Sequence, residues 1–98
     1  MMSIVFKNFE PSELAKQIVR DSIEPLIENF SVLKTHKIII TLEKEGTKFH
    51  TESEQFIVRA LIIGPIFKNL SITFTSSSLY TAVAEVAKGM LELLTRSK

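Results

Sequence analysis

Ninety-eight residues, 45% of them apolar and 23% charged, are enough for one small hydrophobic core and no more. The absence of cysteine excludes a disulfide scaffold, a thiolate metal site and a cysteine nucleophile. Twelve Lys and Arg against eleven Asp and Glu leave a formal charge of +1, so any phosphate binding requires the cations to be gathered in space.

The opening Met1-Met2-Ser3-Ile4-Val5-Phe6-Lys7 lacks a basic region followed by an apolar run, and no stretch is long enough to cross a bilayer, so the expected location is the cytoplasm. Met2, Ile4 and Phe6 alternate with Ser3, Val5 and Lys7, which predicts a first strand ending near Asn8. Pro11 and Ser12 are helix-start signals, and Leu14, Ile18, Ile23, Leu26, Ile27 and Phe30 supply an inner face over about five turns. Pro25 lies inside that pattern, where it removes one backbone hydrogen bond and crowds the carbonyl of Asp21, so a kink or a break is expected there.

The β-branched run from His36 to Lys44 predicts a second strand that stops at Glu45-Gly46. Residues 47–54 are polar and either extend a hairpin through Lys48-Phe49-His50 or form a loop. Gln55 to Ile63 is the most apolar strand, with Phe56, Val58, Ala60 and Ile62 facing one way and Ile57, Leu61 and Ile63 the other, beside Arg59. Gly64-Pro65 breaks it, and the alternating Leu70-Ser71-Ile72-Thr73-Phe74-Thr75 returns as a fourth strand. That strand runs through Ser76-Ser77-Ser78 into a terminal helix. There Leu79, Val83, Val86, Met90 and Leu93 recur at spacings of three and four, widened by Tyr80, Ala87, Leu91 and Leu94.

The order strand, helix, three strands, helix predicts the α+β class: a single domain over residues 1–98 and a two-layer β-α-β-β-β-α sandwich. Both helices lie on one face of a four-stranded mixed sheet. The first crossover pairs its strands in parallel, and the next two connections are hairpins.

Little in the chain suggests catalysis. His36 and His50 have no metal-gathering spacing and read as solvated surface histidines, so neither a metal nor a cofactor is expected. Ser76, Ser77 and Ser78 precede a helix, where hydroxyls cap free amides, and no glycine-flanked serine elbow is present. Three glycines make no phosphate-cradling loop of the usual kinds. Glu13, Glu24 and Glu28 share the outer face of the first helix with Lys16, Gln17 and Arg20, and most simply form ion pairs at helical spacing. The expectation is a protein that is not an enzyme.

Ser78-Leu79-Tyr80-Thr81-Ala82-Val83, opening the last helix of this strand-helix-three-strand-helix order, resembles the ribosome hibernation-promoting factors, also called ribosome-associated translation inhibitors or sigma-54 modulation proteins. The family reads Asp-Met-Tyr-Ala-Ala-Ile-Asp there, and the first helix aligns without a gap from Ser12-Glu13 to Phe30. The chain departs from the family at Ser78 and Ala84, which replace its two aspartates, and at Gly89 and Glu92, which stand where two basic residues align. The resemblance implies a short-form, non-catalytic, stress- or stationary-phase factor. Such a factor binds the rRNA of the small ribosomal subunit in its decoding channel and inhibits translation. Lys16 and Arg20, Lys34 and Lys37, and Lys88, Arg96 and Lys98 are then the rRNA-binding candidates. Glu85, Lys88, Glu92 and Arg96 form one outer stripe of alternating sign, and close approach of the first helix would account for Gly89.

A second expectation comes from the sheet. Regular strands send Ile39, Ile57, Leu61 and Ile63 to the face opposite Ile38, Ile40 and Phe56. An uncovered apolar patch of that kind marks an interface, so a non-ribosomal interaction domain that homodimerises through this face, or through an edge strand, is the alternative. Segments 47–54 and 64–69 folding over the face would remove it.

Overall fold

The computed structural model describes residues 2–45 and 54–96. Along them run β1 (Met2–Lys7), α1 (Glu13–Asn29), a 3-10 helix (Ser31–Thr35), β2 (Lys37–Glu45), β3 (Gln55–Ile63), β4 (Leu70–Ser76) and α2 (Leu79–Arg96). Apart from the 3-10 helix, this is the predicted order. Asn8, at φ 52°, turns the chain out of β1 in the left-handed region that a short polar side chain tolerates. Ser12 caps α1, its Oγ accepting from the Ala15 amide at 3.2 Å, and Ser78 caps α2 by accepting from the Thr81 amide at the same distance. Pro25 does not break α1, which continues to Asn29. Both Pro25 and Asp21 are exposed, so the carbonyl deprived of its helical partner faces water.

The strands lie in the order β1-β2-β3-β4, with β1 parallel to β2 and both later pairs antiparallel, as expected. Register aligns the core in rows: Met2, Ile38, Ile62, Leu70; then Ile4, Ile40, Ala60, Ile72; then Phe6, Leu42, Val58, Phe74. These residues form the helix-covered face, and Ile38, Ile40, Leu42, Val58, Ala60 and Ile62 are fully buried. β1 and β4 point the same way and each leads into a helix that doubles back, so α1 and α2 lie parallel over the sheet.

Both helices bury the centre of the predicted stripe, at Ile23 and Leu26 of α1 and Val83, Val86 and Met90 of α2, but not all of its members. The buried positions of α1 are Ala15, Val19, Ile23 and Leu26, while Leu14 is 73% exposed. Those of α2 are Ala82, Val83, Val86, Met90 and Leu94, while Tyr80 is 67% exposed. Ala15 and Ala82 are buried instead, and Leu14 and Tyr80 fall at the flanks. Gly89 approaches β4 rather than the first helix: a Cβ there would lie 3.2 Å from Ile72 Cγ2.

His36, expected at the surface, is 2% exposed. Its Nε2 accepts from the amides of Ile66 (3.2 Å) and Phe67 (2.9 Å), which leaves the proton on Nδ1, donated to the Val32 carbonyl at 2.8 Å. One imidazole thus ties the 3-10 helix to the loop after β3 and satisfies three backbone groups that the core would otherwise orphan. His50 and residues 47–53 lie outside the described residues.

Candidate nucleic-acid interface

α1 sits inward of the edge strand β1, and an open groove of about 580 Å³ separates them. Its floor is apolar, from Met2, Ile4 and Ile27, and its helix wall carries Lys16, Arg20, Glu24 and Glu28. These four residues recur at intervals of four, which stacks them on one flank of α1. Of the ion pairs expected on this helix, Lys16 with Glu13 is present, at 3.7 Å; Arg20, Glu24 and Glu28 have none within 4.0 Å among the described residues. Gln17 bonds Asp21 instead, Nε2 donating at 2.7 Å.

The remaining basic candidates are placed elsewhere. Lys34 is exposed on the 3-10 helix, beyond the C-terminal end of α1. Lys37 opens β2 on the helix-free face, opposite Ile63. Lys88 points outward from α2 with Glu85 and Glu92 near it, and Arg96 is the last residue of that helix. Lys98 is not among the described residues. The structure therefore gathers Lys16 with Arg20, sets Lys34, Lys88 and Arg96 at separate points around the helix layer, and leaves Lys37 on the opposite face of the sheet.

A lysine not singled out by the sequence lies among aromatic rings at the end where both helices begin. Lys44 Nζ sits 5.8 Å from the Phe9 ring and 6.0 Å from the Phe56 ring, and pairs with Glu54 at 2.9 Å. The signal for it was strand alternation: Lys44 shares the helix-side register of Leu42 and stands opposite Phe56. On the helix-free face Arg59 Nε donates to Thr73 Oγ1 across the strands at 3.3 Å.

Ile39, Ile57, Leu61 and Ile63 do share that helix-free face, with Ile39 directly opposite Leu61. Ile63 is exposed and the other three half-buried, and Thr41, Arg59, Ser71 and Thr73 are interspersed among them. The 64–69 loop does not cover this face. Phe67 turns to the helix side, 5.4 Å from the His36 ring, beside a cleft lined by Phe30, Val32 and Leu94. Among the described residues, no three acidic or histidine side chains are grouped as metal ligands, and no helix is long and apolar enough to cross a membrane.

No family model and no curated protein matches this chain. Solved structures do match it, two of them nearly from end to end. The N-terminal domain of Thermus thermophilus protein Y superposes with a TM-score of 0.73 at 11% identity, covering 99% of this chain and 98% of that one. A ribosomal subunit interface protein from Coxiella burnetii gives 0.69 at 13% identity, covering 99% and 97%. The chain has their fold, in agreement with the resemblance read from its sequence.

Proposed function

We propose, from a fold shared over its whole length with a protein named for the ribosomal subunit interface, that this chain is a non-catalytic ribosome-associated factor. On this reading it acts in the cytoplasm, binds small-subunit rRNA and inhibits translation. Full coverage at both ends is the observation that carries the reading, since no part of either chain is left to support a different architecture. Lys16 and Arg20 form the first contact, held together on one flank of α1, and Lys88 and Arg96 reach phosphates on the α2 side.

A formal charge of +1 limits the electrostatic share of such binding. Four neutralised phosphates, at about −0.7 in log-log slope each for single strands, weaken binding roughly fiftyfold between 50 and 200 mM salt, far less than a densely basic factor loses. Co-sedimentation with isolated small subunits across that range tests the reading. Saturable pelleting with this shallow salt slope is expected, and its loss in the Lys16→Ala, Arg20→Ala, Lys88→Ala, Arg96→Ala variant locates the interface. No pelleting at low salt rejects ribosome association, and unchanged pelleting of the variant rejects these four contacts.

A further inference from the structure

The flank of α1 beside β1 is complementary to itself. Along it the charges read Lys16, Arg20, Glu24, Glu28, two positive and then two negative, at equal intervals. The pairs Lys16 with Glu28 and Arg20 with Glu24 are both symmetric about Ser22. A second α1 laid antiparallel beside the first, with the two Ser22 positions level, therefore sets every cation against a carboxylate. Within the helix this charge is little used, because among the described residues only Lys16 of these four has an ion-pair partner, the exposed Glu13.

The strand beneath has the same symmetry. β1 is an edge of the sheet, so its outer row of backbone groups has no partner strand. No proline or inward-pointing charge protects that edge: its helix side is Met2, Ile4 and Phe6, and on the other side Val5 is 45% exposed. α1 runs antiparallel to β1, so an antiparallel pairing of helices entails an antiparallel pairing of strands. Strand alternation then keeps the even-numbered residues of both copies on the helix side only if the pairing is centred on a residue, and Ile4, which lines the groove, is central.

We propose that two copies of this chain join edge to edge through β1, about a twofold axis perpendicular to the sheet near Ile4. The result is one eight-stranded sheet with four ion pairs between the facing α1 helices. A second copy is the occupant because it brings what the groove lacks: an extended strand, apolar residues at alternate positions and the inverse order of charge. A peptide of uniform charge would meet repulsion over half of the groove. Resting on the ribosomal reading, a further consequence is that the dimer covers Lys16 and Arg20, so the paired form is a store from which rRNA competes the monomer away.

Sedimentation velocity of the purified chain without ribosomes, from micromolar to millimolar, separates this inference from the ribosomal one. The native chain should dimerise with rising concentration. Lys16→Glu with Arg20→Glu makes the flank wholly negative, Glu24→Arg with Glu28→Lys makes it wholly positive, and each should weaken self-association roughly a hundredfold. Mixing the two variants should restore a dimer, now heterotypic and at least as tight as the native one. Leu61→Glu, on the helix-free face, should leave the dimer unchanged. In the native chain, exchange of the β1 amides that face away from β2 should slow as concentration rises. A monomer at millimolar concentration, a dimer indifferent to both charge reversals, a mixture that stays monomeric, a dimer abolished by Leu61→Glu, or β1 exchange independent of concentration overturns it.

Discussion

The two ends of the helix layer are closed by different chemistry. Where the helices finish, a buried imidazole joins the 3-10 helix to the loop after β3 through three hydrogen bonds, with the Phe67 ring beside it. Where they begin, closure is aromatic: Phe9 lies 5.4 Å from Phe6 and 5.7 Å from Phe56, all three half-buried, with Lys44 above two of the rings. Hydrogen bonds inside a core are directional and leave costly orphans when one partner is lost, whereas phenyl contacts fade with area. The first end should therefore be the less forgiving one.

Removing the imidazole is the most direct way to break that comparison. His36→Ala leaves the Val32 carbonyl and the Ile66 and Phe67 amides without their partner and opens a cavity, which should cost about 3–4 kcal/mol in denaturant unfolding. Gly64→Ala attacks the same clip from the opposite side. A Cβ at Gly64 would run into the His36 ring, so the ring must move; because Gly64 does not have a positive φ, the missing side chain rather than backbone freedom is what the site needs. The expected cost is about 2–3 kcal/mol. The double variant should cost clearly less than the two summed, since the new methyl enters space that the ring has vacated. Strict additivity would mean that the clip is not the cause.

Phe9→Ala probes the other end. A half-buried ring that touches two others should cost about 1–2 kcal/mol, because its loss strips area without stranding a polar group. If Phe9→Ala proved more damaging than His36→Ala, the assignment of the two ends would be reversed.

The same contrast explains what the sequence could and could not reveal. Strand limits such as Gln55–Ile63, and the order of elements, were legible because alternation and helical spacing are local properties. The burial of His36 was not: it depends on amides thirty residues away, at Ile66 and Phe67, and on the absence of a side chain at Gly64. The helix faces were read correctly at Ile23, Leu26, Val83, Val86 and Met90 and wrongly at their margins, because the pattern weighted Leu14 and Tyr80 by hydrophobicity and passed over the buried Ala15 and Ala82. At the candidate site the residues Lys16 and Arg20 were legible. Their setting was not: the acids expected to pair with the helix cations lie instead along the groove, at Glu24 and Glu28, for a reason that appears only once β1 is placed beside α1.

The smallest expected effect falls between the two ends, at Gly89. A helical interior glycine costs about 1 kcal/mol relative to alanine, so a substitution there should be stabilising unless something occupies the space. Ile72 Cγ2 does occupy it, 3.2 Å from where the Cβ would be, and Ile72 is half-buried on the edge strand β4, where its side chain has room to shift by tenths of an ångström. Gain and strain then nearly cancel, and Gly89→Ala should change stability by less than about 0.5 kcal/mol. Ile72→Ala removes the obstructing methyl, so in that background Gly89→Ala should recover most of the helix term and stabilise by about 0.5–1 kcal/mol. Equal effects in both backgrounds would show that Gly89 answers to backbone propensity alone and that the contact with β4 does not constrain it.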